Sequence, residues 1–173
     1  RFTPNEPPHA RTEPGGGPRH MAFHPSGRFA YVNLEMSSRV AAYRLDAATG
    51  ALTPLQVLST LPPGVTVPGN STAETLLHPS GRFLYVSNRG HDSIAVFAIN
   101  EQDGTLRFIE TTPTGGRTPR SFGLSPDGRW LVAGNQSSGS VSLFRVDSAS
   151  GMLAAVGSGV GIDRPSFVML MQR

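Results

Sequence analysis

Cysteine is absent from the 173 residues, which removes disulfides, thiolate nucleophiles and thiolate-bound zinc from consideration. Lysine is absent too. All 15 basic residues are arginine, so lysine Schiff bases and lysine-dependent phosphate loops are also excluded. Charged residues make up only 16% of the chain and the net charge is +3. The arginines are scattered and form no basic tract, which argues against a nucleic-acid partner. No apolar run approaches the length of a membrane span, and apolar content of 38% fits a soluble globular protein, cytoplasmic or exported. H-E-x-x-H, a calcium loop, G-x-S-x-G and a glycine-rich dinucleotide fingerprint are all missing. So is any helical periodicity.

What the chain has instead is glycine, proline and short strands in a repeat. His24-Pro-Ser-Gly-Arg28, His78-Pro-Ser-Gly-Arg82 and Ser125-Pro-Asp-Gly-Arg129 recur at intervals of 54 and 47 residues. Proline presets φ for a turn and glycine accepts a left-handed residue, so each motif reads as the tip of a β-hairpin. An aromatic-led strand follows each tip (Phe29–Val32, Phe83–Val86, Trp130–Val132). Next come a polar loop and another strand (Val40–Leu45, Ile94–Ile99, Val141–Val146), a turn ending in Gly50, Gly104 or Gly151, and a last segment. Four short strands per unit of about 50 residues predict an all-β chain of propeller blades. The longest connector, Leu61–Ser71, reads as a surface loop or lid.

The expected units are 18–71, 72–117 and 118–163. Residues 1–17 are expected to end a preceding blade, with a strand in 1–14, and 164–173 to supply the first strand of a further one. A closed propeller needs about four to eight blades. The chain therefore reads as about three four-stranded blades of a larger propeller, and its partners as the remaining blades.

Folding the first hairpin about Ser26–Gly27 places Arg19 opposite Leu34, next to Glu35. Repeat alignment matches Arg19 with Ala73 and Arg120, His20 with Glu74 and Ser121, and Glu35 with Arg89 and Gln136. First strands line the channel of a propeller, so Arg19, His20, Glu35, Glu74, Arg89, Arg120 and Gln136 are expected to ring one mouth of it. Repeats that differ in charge at one equivalent position suggest a site, although loop-end charges are commonly solvated surface pairs. His24 and His78 stand at turn starts, where a structural role is expected. His9 and His91 carry no signal.

Gly17-Pro-Arg-His-Met-Ala-Phe-His-Pro, Ala73-Glu-Thr-Leu-Leu-His-Pro-Ser-Gly-Arg-Phe-Leu-Tyr-Val-Ser-Asn-Arg89, Thr118-Pro-Arg-Ser-Phe and Arg164-Pro-Ser-Phe-Val resemble the seven-bladed lactonase family. That family includes propeller-type 6-phosphogluconolactonases and 3-carboxy-cis,cis-muconate lactonizing enzymes. The resemblance covers nearly the whole chain and corresponds to the C-terminal half of a member. It implies metal-independent and cofactor-free hydrolysis of a small anionic lactone or carboxylate substrate. The alternatives are lactone formation, or a non-enzymatic scaffold. The resemblance also implies Arg19, Glu35 and Arg89 as catalytic residues; Glu35 or a histidine could handle the proton, and Glu35 is the one expected to do so. His20, Glu74, Arg120 and Gln136 would then bind substrate. The family usually has Asn-Glu where this chain has Leu34-Glu35, and the histidine proposed for cyclizing members belongs to a blade upstream of these.

Overall fold

The structure is a computed structural model that describes residues 3–171. It contains three four-stranded antiparallel sheets and, among the described residues, no helix. The first blade is β1 (Pro18–Phe23), β2 (Phe29–Leu34), β3 (Arg39–Leu45) and β4 (Leu52–Ser59). The second is β5 (Ser71–Leu77), β6 (Phe83–Arg89), β7 (Ser93–Ile99) and β8 (Leu106–Pro113). The third is β9 (Pro119–Leu124), β10 (Trp130–Asn135), β11 (Ser140–Val146) and β12 (Leu153–Gly161). Each blade keeps its strands in sequence order, and β1, β5 and β9 lie side by side as the inner strands.

Blade faces follow the two-residue period of a strand. Phe29 and Tyr31 pack with Leu84 and Val86 between the first two blades. The alternate residues of β6, Phe83 and Tyr85, pack with Phe122 and Leu131 of the third blade. The middle blade is covered on both faces, which is why β6 begins as the unbroken run Phe-Leu-Tyr-Val.

Polar latches repeat along these interfaces. Tyr31 donates to the Gly104 carbonyl at 3.1 Å and Tyr85 to that of Gly151 at 2.8 Å. His24 Nε2 and His78 Nε2 reach the carbonyls of Gly81 and Gly128, each at 3.0 Å. Arg28 and Arg82 donate to the Glu101 and Ser148 carbonyls at 2.5 Å. The turn-start histidines are therefore inter-blade latches, the structural role expected of them.

The expected hairpin register holds at Met21↔Val32 but slips at Pro18↔Leu34. Arg19 and His20 together oppose Asn33, a β-bulge. β5 bulges at the equivalent Ala73 and Glu74, and β9 at Arg120. A bulge breaks the strict alternation of faces, so neighbouring residues can address the same side.

The strand expected in 1–14 is not present in 3–14, and residues 1–2 lie outside the described residues. The proline-rich stretch instead lies over the first blade, where Asn5 donates to the Thr49 carbonyl at 2.8 Å and Arg39 pairs with Glu13 at 2.8 Å. Residues 164–171 form no ladder either, but they run along β9, with Val168 N–H on Ser121 Oγ at 3.2 Å. Arg164 has φ 44°, as Gly17 (67°) and Thr118 (58°) do ahead of Pro18 and Pro119. The chain thus enters this segment as it enters an inner strand. The connector after β4 is pinned at its ends: Thr60 Oγ1 donates to Asn88 Oδ1 at 2.7 Å and Asn70 Nδ2 to Ser38 Oγ at 2.8 Å.

Candidate active site

The bulges of β1 and β5 meet the ends of β2 and β6 where the first two blades adjoin. Glu35, immediately after β2, holds one guanidinium on each carboxylate oxygen. Arg19 Nε lies 3.5 Å from Oε2, and Arg89 Nη2 donates to Oε1. Arg19 also donates through Nη1 to the Ala73 carbonyl, and Arg89 through Nη2 to that of Thr72 at 3.0 Å. Both arginines are therefore tied to the backbone of β5 as well as to Glu35. Their side chains are only 19% and 16% exposed, against 31% for Glu35. Three charged side chains thus converge on one locus instead of standing solvated apart. Arg89 Nε is buried without a hydrogen-bond partner among the described residues. Burial pulls the Arg19 guanidinium below its ordinary pKa; Arg89 and Arg120 pull the same way, and Glu35 and Glu74 oppose them.

Next to this clamp, His20 Nδ1 meets Glu74 Oε1 at 2.5 Å and His20 Nε2 meets Arg19 Nη1 at 3.0 Å. Glu74 also accepts from Thr75 N–H at 3.0 Å and, on Oε2, from Ser121 Oγ at 3.3 Å. One polar chain therefore runs Arg89, Glu35, Arg19, His20, Glu74, Ser121 across all three blades.

Two expected members stand apart from it. Arg120 makes no ion pair among the described residues and acts on Arg19 only through its field. Gln136 lines a different cleft with Asp163 and Arg164. It lies one blade further round the ring than Arg89, so equivalence in the repeat does not make it a neighbour of Arg19. Among the described residues no three His, Asp or Glu side chains gather where they would hold a metal ion.

Asn33 escaped the sequence reading. It is fully buried, accepts the His20 N–H at 2.8 Å and donates to Thr72 Oγ1 at 2.8 Å. Ser87 repeats the first role for Glu74 N–H at 2.9 Å. The available signal was an amide inside the apolar run Phe-Ala-Tyr-Val-Asn. At the departure from the family pattern, Leu34 is buried with Val32, Ala41 and Tyr43, whereas its equivalent Asn88 hydrogen-bonds to Thr60.

Residues 2–170 match the family described as "Lactonase, 7-bladed beta-propeller". The chain is 46% identical over 110 residues to the 6-phosphogluconolactonase of Bacillus subtilis (strain 168), covering 63% of this chain and 31% of that protein. It is 41% identical over 116 residues to the 6-phosphogluconolactonase of Pectobacterium carotovorum (strain PC1), covering 65% and 33%. Among solved structures it is similar to a Lactobacillus plantarum protein (TM-score 0.87, 37% identity), covering 91% of this chain and 46% of that one. It is likewise similar to a periplasmic gluconolactonase of Pseudomonas aeruginosa (TM-score 0.86, 36% identity), covering 94% and 44%. The aligned region is thus about a third of the length of these curated relatives. On this match and on its blade architecture, the chain belongs to the seven-bladed β-propeller lactonase family.

Proposed function

We propose that this chain forms part of a complete propeller that hydrolyses the lactone of an anionic sugar acid, 6-phosphogluconolactone being the first substrate to try. The observation that carries the reading is the pair of arginines closed on one carboxylate. A carboxylate or phosphate on a substrate is recognised well by guanidinium forks. An unpaired buried donor such as Arg89 Nε gains when an acceptor arrives. The same cations can stabilise the oxyanion that develops at the lactone carbonyl.

In this reading Glu35 is the post that aims both arginines. Its two oxygens are already engaged by guanidinium groups, which suits a positioning role better than the proton transfer expected from the sequence. The test is ring opening of 6-phosphogluconolactone by the complete polypeptide, followed by proton release against spontaneous hydrolysis, with and without a chelator. Acceleration that survives the chelator is expected. A rate equal to the spontaneous one overturns the reading.

A further inference from the structure

We propose that His20 is the general base of this ring opening and Glu74 its positioning residue; the proposal rests on the lactonase reading above. A guanidinium has no lone pair to give, so in the 3.0 Å contact with Arg19 Nη1 it is His20 Nε2 that accepts. The proton of the neutral ring then sits on Nδ1 and is donated to Glu74 at 2.5 Å. The carboxylate that fixes this tautomer is itself fixed. The Glu74 side chain is 10% exposed and is held by Thr75 N–H and Ser121 Oγ as well as by His20. His20, by contrast, has a side chain 41% exposed on a cleft of about 390 Å³ that it shares with Glu74 and the apolar Phe167, Val168 and Met169. A buried carboxylate behind a part-exposed imidazole, with the lone pair of the ring's other nitrogen directed away from that carboxylate, is the arrangement that prepares a histidine to take a proton.

Arg19 stands on that lone pair. A substrate anion that draws the guanidinium toward itself uncovers Nε2, so binding and base exposure are one event. Nε2 then takes a proton from water as the water oxygen bonds to the lactone carbonyl carbon. The bond from that carbon to the ring oxygen breaks next, and the departing ring oxygen takes the proton back from His20. The carboxylic acid formed loses its own proton to solvent, and His20 is left neutral as it began. The charged groups against the imidazole are Arg19 from its own strand and Glu74 from the second blade, and Arg19 in turn feels Glu35, Arg89 and Arg120.

The experiment measures kcat and KM against pH for the complete polypeptide with 6-phosphogluconolactone, in wild type, His20→Gln and Glu74→Gln. His20→Gln is expected to lower kcat by about 10²–10⁴-fold with KM little changed, and to abolish the acid limb of the kcat profile. Glu74→Gln is expected to lower kcat less and to displace that limb, an effect that a purely inter-blade contact would not produce. Added imidazole is expected to restore part of the rate in His20→Gly. Wild-type kcat in His20→Gln, or an acid limb unchanged in both variants, overturns the proposal while leaving the lactonase reading intact. An inactive wild type fails the lactonase reading itself, and the proposal falls with it.

Discussion

Asn33 Oδ1 accepts the backbone N–H of His20 at 2.8 Å, a bond made necessary by the bulge in β1. Two residues opposite one leave a backbone N–H outside the ladder, and a buried N–H has to find a partner. The fully buried Asn33 supplies it. Its amide also donates to Thr72 Oγ1 and to the Ala73 carbonyl, at 2.8 and 3.2 Å. One side chain of β2 thus sets the conformation of the site strand and joins it to the next blade.

Replacing Asn33 with Ala strands the His20 N–H and removes both donations to β5. An unsatisfied buried group costs about 1–3 kcal/mol, so denaturant unfolding of Asn33→Ala should show a loss of that size. Asn33→Ser, which imitates Ser87 in the second blade, should lose less. Equal stability of the two variants would count against this account of the bulge.

Gly104 has φ 80°, and a Cβ there would lie 2.2 Å from Phe29 Cδ1. Gly104→Ala must therefore distort the turn and displace a ring that is 1% exposed. Overpacking of this kind costs about 1–3 kcal/mol, added to a left-handed penalty of about 1–2 kcal/mol. Gly27→Ala is the control: φ is 69° and no atom lies within 4 Å of its Cβ, so only the backbone penalty remains. Thermal unfolding should rank Gly104→Ala well below Gly27→Ala. The reverse order would mean that blade docking does not depend on this contact.

Protonating His78 should destabilise the fold at its own turn. Its Nε2 proton goes to the Gly128 carbonyl at 3.0 Å in either charge state, but its Nδ1 accepts the Ser80 N–H at 3.1 Å only in the neutral ring, so protonation strands that turn N–H. Burial holds this imidazole below its ordinary pKa; the Gly128 bond opposes that shift and the Arg82 charge reinforces it. A histidine lowered on folding contributes stability above its unfolded pKa of about 6.5. That contribution is lost as pH falls through the lower folded value. Unfolding free energy measured from pH 8 downward should fall below about pH 6.5, and it should fall less steeply in His78→Gln.

The turn motif made the blades legible in the sequence, because Pro-Ser-Gly or Pro-Asp-Gly at a fixed phase imposes a hairpin before any packing occurs. The convergence of Arg19, Glu35 and Arg89 was legible for the same reason: repeat alignment carries a position from blade to blade. The bulge was not, since a one-residue slip in register leaves no mark in the composition of β1. Without the bulge, Arg19 and His20 would point to opposite faces, and Asn33 would have no N–H to serve. The pairing of His20 with Glu74 was equally hidden. Alignment makes the two equivalent, while the contact depends on how closely one blade sits against the next. The strand expected in 1–14 fails in 3–14 because prolines supply no N–H to a ladder, and the segment is instead held by isolated contacts such as Asn5 with Thr49.

Glu35 and Arg89 should behave as a coupled pair. Arg89→Ala removes a charge-assisted contact to a bound anion, worth about 1.5–3 kcal/mol, so KM for 6-phosphogluconolactone should rise roughly ten- to a hundredfold. Glu35→Gln leaves both guanidinium groups in place without the charge that aims them, and kcat/KM should fall while unfolding stays close to wild type. Residues that share a contact couple by about 0.5–3 kcal/mol in a double-mutant cycle. Once Arg89 is gone, Glu35 has only Arg19 left to position, so Glu35→Gln in the Arg89→Ala background should cost less than in wild type. Strict additivity in kcat/KM would show that the carboxylate does not work through that arginine, and the positioning role given to Glu35 would have to be abandoned.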